Sequence, residues 1–502
     1  MSTVSQQEAQ TPLVLTLDVG SSSVRASLYD HAAYAVEGLE VRNKYQFEST
    51  ADGGVQINAD ELLGHVATAI DQLLANAGKL RTKIGAVAID TFWHSLIGVD
   101  AKGQAITPVY SWADTRSSHA ATQLQHELDP QAVHNRTGCI IHPSYFPAKL
   151  RWLATTQADT YKTVKTWMSF GEYFYLKLFG QTVVSLSMAS GTGLFDQFEK
   201  KWDAELLQHL QLSQDHFSTL TDLAQPLQGL QTEYAHRWPQ LKDVKWYLAV
   251  GDGASGNLGG GCFSPERLAI MVGTSGAMRV LLKAATVRIP DGLFCYRADG
   301  SRLVMGGSLS EGGNVFAWLR QSLQLPNLFS EEATLQKMEP DSHGLTILPF
   351  VAGERAPGWA GQARFAINGI SLNTSPVEIV RAALESIAYR FGLIHELLQP
   401  AAPKASEIIA SGAALLNSPA WLQIMADVLN RPVKASGENE TSSRGAALLV
   451  LEQMGAFGDK GLEAAHYEFD TTYHPDPTHH ECYVVGMERQ RELYNLLVKP
   501  EV

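Results

Sequence analysis

In the stretch LTLDVGSSSVRASLYD, Leu15–Asp30, a run of β-prone apolar residues stops on Asp18. It passes through Gly20 and the hydroxyls of Ser21, Ser22 and Ser23, then resumes its alternation. A hairpin turn asks for glycine or asparagine in its backbone, but not for three hydroxyls with a carboxylate at the mouth. Glycine lets a backbone approach a ligand closely, and the amides and hydroxyls that follow donate to phosphate oxygens. Asp18, at the strand end beside that loop, suits a hydrated magnesium ion, which keeps several waters and needs few protein ligands. No G-x-x-x-x-G-K-[ST] occurs in the chain, so the loop is not of the Walker kind.

The pattern returns in IMVGTSGAMRVLL, 270–282. An apolar strand again meets Val-Gly, at Gly273, then a hydroxyl loop with Thr274 and Ser275, then an arginine inside a second strand. Arg279 there echoes Arg25, and the second loop reads as one residue longer. Such an echo points to a duplicated unit, one copy per domain. Two hydroxyl loops facing one another would clamp the phosphates of a nucleotide. Asp252, in AVGDGASGNLGGG, also ends an apolar strand, and the glycines beside it read as room for a substrate. A carboxylate in that place suits a general base for a hydroxyl nucleophile.

A third cluster, DTFWHSLIGVDAKGQAITPVYSWADTRSS, sets Trp93, His94, Trp112, Asp114 and Arg116 around what reads as a hairpin. Aromatic faces pack on the C–H faces of sugars, and Asp and Arg pair with adjacent hydroxyls, so the cluster reads as a polyol pocket. His94 has no second His or Cys at ligand spacing and is not read as a metal ligand.

The elements that must hold these groups follow from periodicity. Residues 13–30 read as two strands around a tight loop, and NADELLGHVATAIDQLL as a helix capped by Asn58 or Asp60. IGAVAID is a buried-type strand that ends, once more, on an aspartate, Asp90. Residues 118–245 read mainly as helix. The later copy adds a strand at RLVMGG, and helices follow at 376–398 and 417–430 before a short polar tail. At 502 residues the chain exceeds one core, and the boundary is expected near 255, in the glycine-dense stretch.

Composition narrows the partners. A formal net charge of -13 argues against duplex DNA or an anionic membrane as partner, though not against a nucleotide held by local amides and a metal ion. Cys139, Cys262, Cys295 and Cys482 are scattered without metal or redox spacing, which suits buried or incidental thiols in a reducing cytoplasm. The first dozen residues lack the basic and apolar regions of a signal peptide, and no apolar run is long enough to span a membrane. The segment SPVEIVRAALESIAYRFGLIHELL is apolar enough for a homodimer face, but a core helix of the second domain explains it better.

Taken together the motifs resemble the FGGY family of carbohydrate kinases, which includes glycerol, xylulose and gluconate kinases. The resemblance runs from about 13 to 455 through DVGSSSVRA, WHS, WADTR, TGCIIHPSYFPAKLRWL, GDGASGNLG, VGTSGAMRV, LPFVAGERAPGW, SPVEIVRAALESIAYR and ASGAALLNSPAWLQIMADVLNRPV. It implies an α/β chain of two ribonuclease H-like domains, of the actin and hexokinase superfamily, around a central cleft. A sugar-binding domain would take 1–255, an ATP-binding domain 256–455, and 456–502 would be a tail packed on the second domain.

By resemblance, Asp18 belongs to the magnesium and phosphate site, Arg25 reaches the phosphates, and Asp252 is the catalytic base. Gly273 and Thr274 lie in the second phosphate loop, and Gly313, Gly412, Ala413 and Asn417 match adenosine-binding positions. Trp93 and His94 stand where xylulose kinases carry a Met-His pair, and Ser144, with Tyr145 one place off, where glycerol kinases carry a substrate tyrosine. WADTR, TGCIIHP, ASGTGLFD, FCY and GERAPGW look most like gluconate kinases. Trp93, Phe365 and Ser185 depart from the usual pattern.

The sequence thus reads as a magnesium- and ATP-dependent kinase of a sugar or sugar acid. Gluconate is the first choice and D-xylulose or another ketopentose the second. An actin- or chaperone-like ATPase switch and a non-catalytic sugar sensor are the rivals. The switch would need a partner-binding extension, and the sensor would have no use for Asp18 together with Asp252.

Overall fold

The computed structural model describes residues 3–323 and 328–499, the side chains of 328–330 excepted, so the first two residues and the last three of the tail lie outside it. Two mixed sheets organise the chain. In the first, β1 (Leu13–Val19), β2 (Ser23–Tyr29) and β3 (Ala35–Lys44) run antiparallel in sequence. On the other side of β1 lies β4 (Ile84–Thr91), parallel to it. Every residue of β1 except Asp18 is buried, as a strand covered on both faces requires.

Helix α1 (Ala59–Asn76) links β3 to β4. Its cap is Asn58, whose side chain accepts from the amides of Asp60 and Glu61, and Leu62, Val66, Ile70 and Leu73 carry its buried face. The short strands Lys245–Trp246 and Val250–Gly251 extend the sheet beyond β4.

The second sheet repeats this order. β5 (Arg267–Val272), β6 (Gly276–Leu282) and β7 (Leu303–Leu309) are antiparallel, and β8 (Glu407–Ser411) lies parallel to β5. Phe294–Arg297 flanks β7, while Val433–Ser436 and Phe469–Tyr473 complete the far edge. Helix α2 (Asp252–Gly259) precedes this half, and α3 (Pro376–Leu398) links β7 to β8 as α1 links β3 to β4. A capping box of Ser375 and Glu378 starts α3. The helix is buried from Val380 to Phe391 without a break, so the apolar segment is a core helix.

The echo is therefore structural, but the loops differ in the opposite sense to the one read from the sequence. Val19 pairs with Val24, leaving four residues between them, whereas Val272 pairs with Gly276 and leaves three. The extra residue of the second copy lies in β6, not in its loop. Arg25 is consequently opposite Asp18, but Arg279 is opposite Ala269, farther down the strand. The place of Asp18 is taken by Met271 and that of Asp90 by Ser411. Only the first copy carries carboxylates.

The glycine-dense stretch is not a linker. It forms α2, which packs against α4 (Thr441–Gln453) at very short range. A Cβ on Gly259 would fall 1.9 Å from the carbonyl oxygen of Thr441, and one on Gly445 1.8 Å from that of Ser255. Those glycines permit helix contact. Position 255 falls inside α2, and α4 returns to lie on β1 and β4, giving Ala446–Leu451 to the first core. The tail divides as well: Leu462 joins the first core, while the helix Pro477–Leu497 packs against α3.

Candidate active site

A cavity of about 270 Å³ opens between the two sheets, with Ser21, Trp93 and His94 on one side, Gly273, Thr274 and Ser275 on the other, and Asp252 between. The two hydroxyl loops therefore face one space. Asp252 is the first residue of α2, where the helix dipole favours a carboxylate, and its Oδ1 accepts from the Gly253 amide at 2.7 Å. Burial pushes its carboxyl up to about 6, a rise that the Arg279 guanidinium restrains and Asp18 reinforces.

The glycines beside Asp252 make room for Trp93 rather than for a substrate. A Cβ on Gly251 would lie 1.9 Å from Trp93 Cε2, and one on Gly253 2.9 Å from Cζ3. Gly191 closes the third side, 2.5 Å from Cδ1 on the same construction. Trp93 Nε1 donates to the Ser187 carbonyl at 3.0 Å, so the buried indole is fixed as a wall behind Asp252.

Asp18 lies between Arg25 on β2 and Asp90 on β4. Arg25 donates to its Oδ2 at 3.1 Å, and the same guanidinium also meets Glu40 and Glu440. Arg25 was expected to reach phosphates; instead three carboxylates engage it. Asp90 is fully buried, Asp18 is its side-chain neighbour, and neither of its oxygens meets an N–H or hydroxyl donor among the described residues. Burial pushes Asp90 well above the usual carboxylate range, Asp18 adding to it; Asp18 itself is raised by burial and held down by Arg25.

Of the loop serines, Ser21 lines the cavity, Ser22 is exposed and Ser23 accepts from Arg42 Nε at 3.2 Å. Tyr45 donates to the Gly20 carbonyl.

His94 has φ 67°, a left-handed conformation that turns the ring into the cavity wall. Burial holds its pKa near about 3, so the ring is neutral. Nδ1 lies against the Gly191 carbonyl, which fixes the proton there and leaves Nε2 as an acceptor. Trp112 also lines the cavity, but Asp114 and Arg116 do not. Asp114 is buried, takes the Val55 amide at 3.1 Å and the Arg116 guanidinium at 2.6 Å. Arg116 further donates to Gln56 at 2.8 Å and lies over the rings of Tyr110 and Trp152. The pair locks the hairpin that presents Trp112, with Nε and Nη2 of Arg116 committed to Asp114 and Gln56.

Ser144 and Tyr145 also stand one layer back. Ser144 Oγ donates to the Trp112 carbonyl at 2.8 Å, and the Tyr145 hydroxyl meets that of Tyr296 at 2.6 Å. Phe365 packs on Trp318, away from the cavity, and Ser185 caps the helix Leu186–Ser190 while donating to the Ala249 carbonyl.

The positions matched to adenosine binding converge on the second loop. The Gly313 amide donates to the Gly273 carbonyl at 2.8 Å, and Gly412, at φ 89°, would place a Cβ 2.4 Å from the Val272 carbonyl. Ala413 starts the short helix that Asn417 closes. Sequence reasoning left out Arg279, Tyr296 and Arg355, all of which line the cavity. Arg279 was visible in the echo and Arg355 in GERAPGW, but Arg355 lies far along the chain from His94, Trp112 and Asp252, with which it shares the cavity.

Residues 13–259 match the N-terminal domain of the FGGY family of carbohydrate kinases and residues 268–453 its C-terminal domain. The gluconokinase of Bacillus subtilis (strain 168) is 26% identical, over 93% of this chain and 92% of that protein. A glycerol kinase of Agrobacterium fabrum is 27% identical over 92% and 94%. Among solved structures, a ligand-bound xylulose kinase from Lactobacillus acidophilus superposes with a TM-score of 0.91 at 26% identity, covering 97% of this chain and 99% of that one. A gluconate kinase from the same organism gives 0.90 at 26%, covering 97% and 98%.

Proposed function

The chain belongs to the FGGY family of carbohydrate kinases, and from that premise we propose that it phosphorylates a primary hydroxyl of a sugar acid, gluconate first and a ketopentose such as D-xylulose second. It is a carbohydrate kinase that uses ATP with magnesium. The observation that carries the reading is the placing of Asp252, with a pKa of about 6, in a cavity bounded by both hydroxyl loops. The relatives named for gluconate support the choice of acceptor. A cytoplasmic setting agrees with the ATP requirement and with free thiols at Cys139, Cys262, Cys295 and Cys482. No helix among the described residues is long and apolar enough to cross a membrane.

In this reading the acceptor lies against Trp93, His94 and Trp112, with His94 Nε2 accepting from one of its hydroxyls. An Oδ of Asp252 takes the proton of the primary hydroxyl as that oxygen bonds to the γ-phosphorus. The bond from phosphorus to the oxygen bridging to the β-phosphate breaks, and ADP leaves. Arg279, whose guanidinium adjoins Gly253, and the amides of the two loops stabilise charge on the transferred group. Closure of the two halves excludes water from the cavity, which keeps ATP from idle hydrolysis.

The metal site is consistent with the residues present. Arg25 takes one oxygen of Asp18, and Asp90, its side-chain neighbour, receives no N–H or hydroxyl donor among the described residues; two adjacent carboxyls so placed suit a cation. Asp18 would hold the hydrated ion, with Asp90 adjoining. Magnesium supplies neutralising charge for the β- and γ-phosphate oxygens.

The test is ADP release with ATP and magnesium across gluconate, D-xylulose, L-ribulose, L-xylulose, glycerol and erythritol, with a blank lacking sugar. Gluconate far above the blank is the expected result. A ketopentose far above gluconate would replace the first choice by the second, and a raised blank with a flat panel would overturn the kinase assignment of this site.

A further inference from the structure

The cavity holds two guanidinium groups, and the mechanism above uses only that of Arg279. The other belongs to Arg355, which lines the same space as His94, Trp112 and Asp252. Its planar group lies over the Trp112 ring at 5.2 Å and over the Trp359 ring at 5.9 Å. Trp359 is itself tied by a 2.7 Å hydrogen bond from Nε1 to the Gly292 carbonyl. Stacking of this kind fixes the plane of a guanidinium and satisfies its faces, but leaves its in-plane N–H donors free.

Those donors are not consumed. Arg355 Nε is buried with no hydrogen-bond partner, and Arg355 forms no ion pair among the described residues. The carboxylates at hand are committed elsewhere. Glu354, its neighbour in sequence, turns into the core, where Arg390 and the Tyr494 hydroxyl hold it. Glu311 is buried and pushed up to about 8, so near neutral pH it carries a proton and offers no compensating charge. Asp252 is the base.

A chain of net charge -13 thus keeps two guanidinium groups in its cleft, neither in an ion pair among the described residues, and that of Arg355 is the one clamped against aromatic rings. That arrangement calls for an anionic ligand.

Two anions enter such a site, a phosphate and an acceptor carboxylate, and position separates them. Arg279 is the arginine beside the base: a Cβ on Gly253 would lie 3.0 Å from its Cζ. Arg355 stands nearer the acceptor side: it stacks on Trp112, and its charge is felt by His94, His142 and Tyr296, while at Asp252 it counts for less than that of Arg279. We propose that Arg355, clamped on Trp112 and Trp359, binds the carboxylate of the acceptor and so makes this enzyme a kinase of sugar acids rather than of neutral polyols. The inference rests on the kinase reading given above and deepens it.

The test compares D-gluconate with D-glucitol, which carries a hydroxymethyl group in place of the carboxylate on the same carbon skeleton. The wild-type enzyme needs no mutation for this comparison and is expected to favour gluconate in kcat/KM by about 10²-fold, the worth of a charged hydrogen-bonded pair. Arg355→Gln should collapse that ratio by raising KM for gluconate. Arg355→Lys, which keeps the charge without the fork, should restore only part of it. Calorimetry of gluconate binding to the ATP-free protein gives a second readout, in which the Gln variant binds about 10²-fold more weakly. Equal efficiency on the two acceptors overturns the inference while leaving the kinase intact, as does a rise in KM for ATP instead of for gluconate. ADP release that no acceptor stimulates overturns the kinase reading itself, and gluconate binding indifferent to Arg355 then removes the inference independently.

Discussion

The indole of Trp93 occupies the space in which a side chain on Gly251 would stand, 1.9 Å from Cε2 to the added Cβ. The backbone that delivers Asp252 to the cavity is therefore set by an aromatic wall, and the two positions form one packing unit. Gly251→Ala should cost about 1–3 kcal/mol of stability by overpacking and should lower turnover by shifting Asp252. Gly251→Ala combined with Trp93→Ala should recover part of that stability, a non-additivity that thermal melts of the four proteins in the cycle would register. Simple addition of the two losses would show that the contact does not govern the local backbone.

Asp252→Asn should cut turnover by roughly 10²–10⁴-fold, the range for a general base, while nucleotide affinity holds. Because the wild-type carboxyl titrates near about 6, kcat/KM should fall about tenfold per pH unit below that value. The linkage runs the other way for stability. A folded pKa raised above 3.8 means that Asp252 favours the fold at low pH and loses that contribution as pH rises through about 6. At pH 7.5 the Asn variant should melt no lower than wild type. A slow, acid-insensitive variant that also unfolds early would instead point to a structural aspartate.

Much of this site was legible because its signals are local. Asp18, Gly20 and the serines sit within six residues of one another, and a strand that stops on a carboxylate before a hydroxyl loop has few structural uses. The parallel order of the two sheets followed from the echo in the same way. What the sequence concealed depends on partners distant along the chain. Asp114 and Arg116 look like sugar ligands until each is seen to hold the other, with Gln56, Tyr110 and Trp152 around the guanidinium and neither residue lining the cavity. The glycines after Asp252 look like access for a substrate until Trp93 and α4 are placed against them. Arg355 has no local signal of being unpaired, since that depends on Glu354 turning to Arg390.

Asp18→Ala should raise the magnesium concentration for half-maximal rate, with Glu40 and Glu440 left to hold Arg25 in place. Manganese binding followed by its paramagnetic signal checks this without turnover. Asp90→Asn tests the neighbouring carboxyl in the same titration, and weaker metal binding is expected there as well. A variant pair with unchanged metal titrations would mark both aspartates as parts of the sheet only.

Arg116→Ala separates a lock from a ligand. Asp114 is buried at 2% exposure, so removing its guanidinium strands a carboxylate in the core, a change worth about 3 kcal/mol. Two ring contacts and the bond to Gln56 go with it. The melting temperature should therefore drop by several degrees, while KM for the best acceptor moves far less than a lost sugar contact would require. Arg116→Lys should rescue little, because a point charge cannot replace a fork that meets Asp114 and Gln56 together. If KM rose tenfold or more in a variant of normal stability, Arg116 would reach the acceptor after all, and the hairpin would have to move on binding to bring it there.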